Sequence, residues 1–241
     1  MSHRLLKAAA GVAGGLVLAQ AAPALTGVQP LEPLRRRLLP RYGGVGRPGH
    51  VALTFDDGPD PLSTPRFLSL LERRGVRATF FLLGFMLERE PGLAKEIVAA
   101  GHEVAVHGYL HRPMVARGPR ATYDDLRRAR DLVTDATGEQ PRFYRPPYGV
   151  ATTAALRSAR QLGMEPVLWT SWGADWRAGA TGTSVYRTVT RNLESGGTIL
   201  LHDSDCTSAP ASWTATLAAL PRLLDHCERH GWHVGPMGEH R

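Results

Sequence analysis

From position 50 onward the chain alternates short apolar runs with segments whose apolar residues recur every three or four positions. Seven runs predict strands: Val51–Phe55, Ala78–Leu83, Glu103–Val106, Phe143–Arg145, Pro166–Trp169, Thr198–Leu201 and Trp232–Val234. Helical periodicity spans Thr64–Arg74, Tyr123–Thr134, Thr152–Leu162, Ser184–Leu193 and Trp213–Arg229, and a further helix begins at Pro91. Gly138 and Gly163 end two of these helices. Regular strand–helix alternation predicts a parallel sheet with helices outside it. About seven such units suit a closed or nearly closed (β/α) barrel, and an open doubly wound sheet is the competing arrangement. The polar residues favour the barrel. Asp56-Asp57, His107, Arg145, Asp175 and His202 each follow a separate predicted strand, and a barrel brings such strand ends to one mouth.

Composition adds the frame. At 241 residues, 43% apolar and 21% charged, the chain has the makings of one sizeable globular domain. Its amino terminus differs. His3, Arg4 and Lys7 precede an Ala/Gly/Leu/Val stretch from Ala8 to Ala19, and Ala19-Gln20-Ala21 and Ala22-Pro23-Ala24 follow as small-x-small sites. Residues 1–24 are therefore expected to be a signal peptide or an N-terminal membrane anchor, with the protein exported; a plain amphipathic helix is the alternative. The run is short and Gly-rich for a stable membrane span. Residues 25–49, rich in Pro, Arg and Gly, are expected to be a linker or wrapping segment, and residues 50–241 the folded domain. The formal charge of +7 suits an anionic polymer or membrane surface as well as it suits a solvated Arg-rich exterior. The Arg residues are scattered, with no nucleic-acid-binding motif beside them, so nucleic acid is not an expected partner. Cys206 and Cys227 are expected to pair as a disulfide in an exported chain, with two buried thiols as the alternative.

The densest chemistry lies in Thr54-Phe55-Asp56-Asp57-Gly58-Pro59. Two adjacent carboxylates at the end of an apolar strand repel each other, and burying either one unpaired is costly. A metal ion resolves this: one Asp ligates it and the other handles protons. His107 and His111, four apart, are spaced as two imidazoles that grip one ion from a single helical turn.

These motifs, followed in order by Arg145-Pro146-Pro147-Tyr148-Gly149, Asp175-Trp176 and Leu200-Leu201-His202-Asp203, resemble those of the NodB-homology polysaccharide deacetylases, carbohydrate esterase family 4. The resemblance covers roughly residues 50–235 and implies a distorted (β/α) barrel. It assigns Asp56 as general base and Asp57, His107 and His111 as ligands of a divalent ion. Zn²⁺ suits that donor set, with Co²⁺ also possible. His202 is then the acid that protonates the leaving amine, and Asp175 raises its pKa. Arg145 holds Asp56, and the Tyr148 backbone N–H stabilises the oxyanion. Leu201, Leu200 and Trp176 line a small pocket for the acetyl methyl, Leu200 fitting plain core packing better. Asp203 reads as a helix-cap or loop acceptor. Gly108 stands where the family usually has Ser or Thr, which removes a hydroxyl brace from the metal loop. Trp172 is either a sugar-stacking platform or a rim hydrophobe. The expected substrate is an N-acetylated polysaccharide, peptidoglycan or a chitin-like polymer. A deacylase of small N-acyl or O-acetyl substrates, and a glycan-binding domain without catalysis, remain as alternatives.

Overall fold

The computed structural model describes residue 23 and residues 32–241. The signal peptide or anchor expected over residues 1–24 lies outside the described residues, Pro23 excepted, as does the start of the segment 25–49. No helix among the described residues is long and apolar enough to cross a membrane.

Eight strands form one sheet in which every pairing is parallel: β1 (His50–Asp56), β2 (Thr79–Leu82), β3 (Glu103–Val106), β4 (Phe143–Tyr144), β5 (Glu165–Pro166), β6 (Ser171–Trp172), β7 (Thr198–His202) and β8 (His233–Gly235). The order is β5-β4-β3-β2-β1-β7-β6, with β8 beside the start of β1. β1 thus adjoins the late strand β7, which is how a barrel closes first strand to last; a doubly wound sheet would instead reverse its order at an internal switch point. The outer members, β5 and β6, follow each other in sequence, so the chain itself crosses the remaining gap. There the Leu168 N–H donates to the Tyr42 carbonyl at 2.7 Å. The result is a distorted (β/α) barrel curled short of full sheet closure.

Among the described residues the helices are α1 (Glu32–Leu38), α2 (Thr64–Arg74), α3 (Gly84–Arg89), α4 (Pro91–Ala99), α5 (Pro119–Thr137), α6 (Thr153–Gln161), α7 (Gly182–Asn192) and α8 (Trp213–Arg229). Their ends follow local chemistry. Proline stands in the first turn of α2, α4 and α5, where its missing N–H costs nothing. The Thr152 hydroxyl accepts from Ala155 N–H at 3.2 Å to cap α6, and Thr181 with Ser184 forms a capping box on α7. Three elements escaped the sequence pattern: α1 and α3, of seven and six residues and too short for helical periodicity to register, and β6, a two-residue strand.

Alternation within the strands sorts side chains into two sets. All seven residues of β1 are buried, as expected of a strand covered on both faces. Val51, Leu53 and Phe55 join Phe80, Leu82, Val104, Val106, Ile199 and Leu201 in the main core that includes the helices' apolar faces. Phe55 packs 5.1 Å from each of the Phe67 and Phe80 rings. The opposite parity (Ala52, Phe81, Ala105 and Phe143, with Val167 and Met237) forms a smaller cluster inside the barrel.

Residues beyond β8 close the barrel floor, where the Met237 N–H donates to Thr79 Oγ1 at 2.8 Å. His50 and His240 meet there, Nδ1 to Nδ1 at 2.9 Å, and burial pulls each imidazole down to about 4. Residues 32–49 wrap the wall and belong to the domain: Arg35 donates to the Trp169 carbonyl at 3.2 Å, and Thr198 Oγ1 donates to the Gly44 carbonyl at 2.6 Å.

Candidate active site

The inward parity of the strands, continued past their carboxyl ends, carries the chemistry. Asp56 ends β1, His107 follows β3, Arg145 follows β4, and Leu200 and His202 lie on β7. All share the register of the interior cluster, so all turn toward the barrel mouth. Asp56, Asp57, His107, His111, Tyr148, Trp172, Trp176, Leu200 and His202 line one cleft of about 320 Å³. That volume is at the small end of ligand pockets.

Parity also corrects one expectation. Leu201 lies one residue from both Leu200 and His202 and therefore points the other way; it is fully buried in the main core, while Leu200 lines the cleft. The two leucines exchange the roles expected of them.

Asp57, His107 and His111 offer donor atoms that lie within 4.8 Å of one another. Asp57 Oδ1 stands 3.4 Å from His107 Nε2 and 3.5 Å from His111 Nε2. That oxygen is buried without a hydrogen-bond partner among the described residues, which is costly for a carboxylate unless a cation completes it. The His107 Nδ1–H donates to the Arg145 carbonyl at 2.9 Å, so its Nε2 is the lone-pair nitrogen. Burial drives His107 down to about 3 and lowers His111 as well, keeping both imidazoles neutral as ligands must be. An oxygen and two nitrogens disposed in this way fit a divalent ion of the zinc type. The two histidines reach it from a loop after β3 and not from a helical turn. Gly108 has φ +96, a backbone that suits glycine. The lost hydroxyl brace has a substitute in Asp125 of α5, which accepts from the Tyr109 N–H at 2.9 Å and pairs with Arg117.

Asp56 stands beside this triad, its Oδ2 3.7 Å from His107 Nε2. Its Oδ1 accepts from Arg145 Nη1 at 2.7 Å. Arg145 is wholly buried; it also donates to Thr54 Oγ1 at 2.8 Å and stacks its guanidinium 4.0 Å over the Phe81 ring. Burial pushes the Asp56 carboxyl up, and the Arg145 charge opposes it. Such a carboxylate is aimed, poorly hydrated and basic.

Across the cleft, His202 Nδ1 lies 3.1 Å from Asp175 Oδ1. Asp175 Oδ2 accepts from the His202 N–H at 2.8 Å and from Thr216 Oγ1 at 2.7 Å. Burial works against a charged imidazole here, yet the Asp175 carboxylate outweighs it and His202 rises to about 10. One side of the cleft therefore presents a base and the other a protonated acid.

Three tryptophans build the wall. Trp169 and Trp172 rings lie 6.2 Å apart, Trp172 and Trp176 6.4 Å, and Trp176 meets the His202 ring edge-on at 5.6 Å. Trp172 is therefore part of a continuous aromatic surface that faces the cleft. Tyr148 caps the opposite side with a half-exposed ring 4.4 Å from His111. Its backbone has φ +59, a strained value for a tyrosine, and its N–H donates to no group among the described residues.

Sequence reasoning missed Trp169, Thr54, Thr216 and Thr207. The Thr207 hydroxyl donates to Asp57 Oδ2 at 2.5 Å, fixing the carboxylate whose other oxygen is free. A threonine in an irregular loop carries no pattern; Trp169 carries one, an aromatic at a strand end, which the strand periodicity alone does not turn into a site. Asp203 behaves as expected, accepting from Thr64 Oγ1 at the start of α2 at 2.5 Å. The expected disulfide is absent, because both thiols are free. Cys206 sits in the cleft loop, where its Sγ donates to the Asp57 carbonyl at 3.4 Å. Cys227 is in the main core, ~20 Å along α8 from the helix start that follows that loop.

The family model described as "Polysaccharide deacetylase" matches residues 43–167. A chitooligosaccharide deacetylase of Bradyrhizobium sp. (strain ANU 289) is 34% identical over 217 residues, 86% of this chain and 96% of that protein. A peptidoglycan-N-acetylglucosamine deacetylase of Bacillus cereus is 32% identical over 191 residues, 78% of this chain and 86% of that protein. Among solved structures, a family 4 carbohydrate esterase from Streptomyces lividans in complex with acetate superposes with a TM-score of 0.70 at 34% identity, covering 78% of this chain and 92% of that one.

Proposed function

Because the chain belongs to the polysaccharide deacetylase family, we propose that it hydrolyses the N-acetyl groups of a glycan with the help of a divalent metal ion, most simply Zn²⁺. The observation that carries this reading is the orphaned Asp57 oxygen facing His107 and His111, with Asp56 and His202 on the same cleft. Asp57, His107 and His111 would hold the ion. Bound there, it supplies a Lewis acid that polarises the amide carbonyl and acidifies water.

The chain's own groups do the rest. Asp56, aimed by Arg145, takes the proton of the attacking water. The Tyr148 N–H, held in a turn stiffened by Pro146 and Pro147, faces the negative charge that develops on the carbonyl oxygen. His202, kept protonated by Asp175, donates to the departing amine, which leaves poorly as an anion. Leu200 offers apolar surface for the acetyl methyl. The Trp169–Trp172–Trp176 wall gives sugar rings a stacking surface that continues beyond one residue, which supports a polymer over a small acyl substrate. N-acetylglucosamine units of peptidoglycan or of a chitin-like chain fit this chemistry. Under the same reading the protein is exported, an assignment that rests on the charged-then-apolar segment at residues 1–24.

Paired variants test the assignment. Asp56→Asn is expected to bind zinc as the native protein does and to lose turnover by about 10²–10⁴-fold. His107→Ala is expected to lose the cleft zinc and turnover together. Near-normal acetate release by Asp56→Asn would show that another group is the base.

A further inference from the structure

A second convergence of ligand atoms lies on the barrel floor, at the opposite end of β1 from the cleft. His50 opens β1, His233 opens β8, and Glu239 follows in the turn after β8. One donor atom from each lies within 4.8 Å of the others. A Cβ on Gly235 would stand 2.9 Å from His50 Nε2, 2.9 Å from Glu239 Oε2 and 3.5 Å from His233 Nε2. Three ligand atoms thus surround one spot that glycine leaves clear.

The protons are arranged to suit a cation. The Gly44 carbonyl can only accept, and His240 Nε2 lies 3.4 Å from it; that nitrogen therefore carries hydrogen. His240 Nδ1 is then the acceptor, and His50 Nδ1, 2.9 Å away, donates to it. His50 Nε2 is left as a bare lone pair, on a residue 1% exposed, with no hydrogen-bond partner among the described residues. Glu239 divides its oxygens: Oε1 pairs with Arg77, while Oε2 turns to His233 Nε2 at 3.6 Å. A backbone-anchored imidazole chain behind a ligating histidine is the usual outer support of a metal site.

We propose that His50 Nε2, His233 Nε2 and Glu239 Oε2 bind a divalent cation of the zinc type, which fastens the C-terminal turn to the start of β1. Two imidazoles and one carboxylate select late first-row ions over Mg²⁺ or Ca²⁺. Its location at the amino-terminal end of the strands gives it a structural role, since that face of a barrel carries stability and not catalysis. β1 separates it from the cleft by roughly 20 Å at the usual strand rise. The proposal does not rest on the deacetylase reading.

The test is zinc stoichiometry on the full chain after dialysis, with the melting temperature measured with and without zinc. His107→Ala removes the cleft ligand and isolates the floor. That variant is expected to retain one Zn²⁺ per chain and to melt about 5 °C higher with zinc in hundredfold excess over the dissociation constant. Adding His233→Ala, a largely exposed side chain whose loss leaves the core intact, is expected to abolish both effects while far-UV circular dichroism stays unchanged. Glu239→Gln should weaken binding at least tenfold. A folded His107→Ala variant without zinc overturns the proposal. So does zinc that survives His233→Ala but is lost on His230→Ala, which would place it on the His226–His230 pair at the end of α8, whose rings lie 4.3 Å apart.

Discussion

Replacing Asp175 by Asn isolates the electrostatic part of the acid. The amide oxygen can still accept from the His202 N–H and from Thr216, the two bonds that Asp175 Oδ2 makes at 2.8 and 2.7 Å, so the local fold is retained. What disappears is the negative charge 3.1 Å from His202 Nδ1. Burial depresses this imidazole, and Asp175, with smaller help from Asp57 and Asp56, carries it from 6.5 to about 10. Without that charge the larger effect of burial offsets what Asp57 and Asp56 still add; for an imidazole returned to an ordinary pKa of about 6.5, the protonated fraction at pH 8 falls from nearly all to about 3%. Turnover at pH 8 is therefore expected to drop about 30-fold, with the loss shrinking toward pH 6. The alkaline limb of kcat against pH should move down by roughly three units. Stability follows the same linkage. The folded pKa of His202 is raised, so the pair stabilises fully below the histidine's unfolded value and fades as pH rises through about 10. On the acid side the Asp175 carboxyl is held below its ordinary 3.8 by His202 against the opposing effect of burial, so the contribution is lost only as pH falls through that lowered value. Denaturant titration should find the variant weakened by on the order of 3 kcal/mol between pH 4 and 6.5 and scarcely at all above pH 10. An alkaline limb at the same pH in variant and native protein would refute the pairing as the source of His202's acidity range.

Thr207→Val removes the hydroxyl that holds Asp57 Oδ2; zinc affinity in the cleft should fall about tenfold, measured by chelator competition, with activity recovering at excess zinc. Trp172→Ala breaks the aromatic wall between Trp169 and Trp176. KM for an oligosaccharide should rise several-fold while kcat for a monosaccharide amide stays within about twofold, since the lost stacking is worth ~1 kcal/mol. Phe55→Ala empties a site between the Phe67 and Phe80 rings and should lower unfolding stability by about 3–5 kcal/mol in urea, with the cleft residues' roles unaltered in the fraction that stays folded.

Most of the site was legible because it is written in strand ends. Asp56, His107, Arg145 and His202 each follow an apolar run, and a parallel barrel gathers such ends whatever lies between them. The alternation of side chains separates the two leucines: counting by two from His202 puts Leu200 in the cleft and Leu201 in the core. What stayed hidden rests on irregular backbone. Thr207 reaches Asp57 from a loop with no period, β6 is two residues, and α1 and α3 are seven and six. The cysteines misled because spacing in sequence says nothing about Cα separation; one belongs to the mouth and the other to the core beneath α8. The segment 32–49 has little apolar periodicity because it binds through its backbone and through Arg35, not through an apolar face.

Metal-dependent N-deacetylation through the Asp57–His107–His111 triad is best tested by acetate release. Native protein, stripped with chelator and then reloaded with Zn²⁺, is assayed on chitooligosaccharides and on peptidoglycan. Acetate is expected from at least one of these glycans with reloaded protein, with a fall of about 10²-fold or more after stripping and no recovery by zinc in His107→Ala. Equal acetate release from stripped and reloaded protein, or none from protein carrying zinc in the cleft, would contradict it.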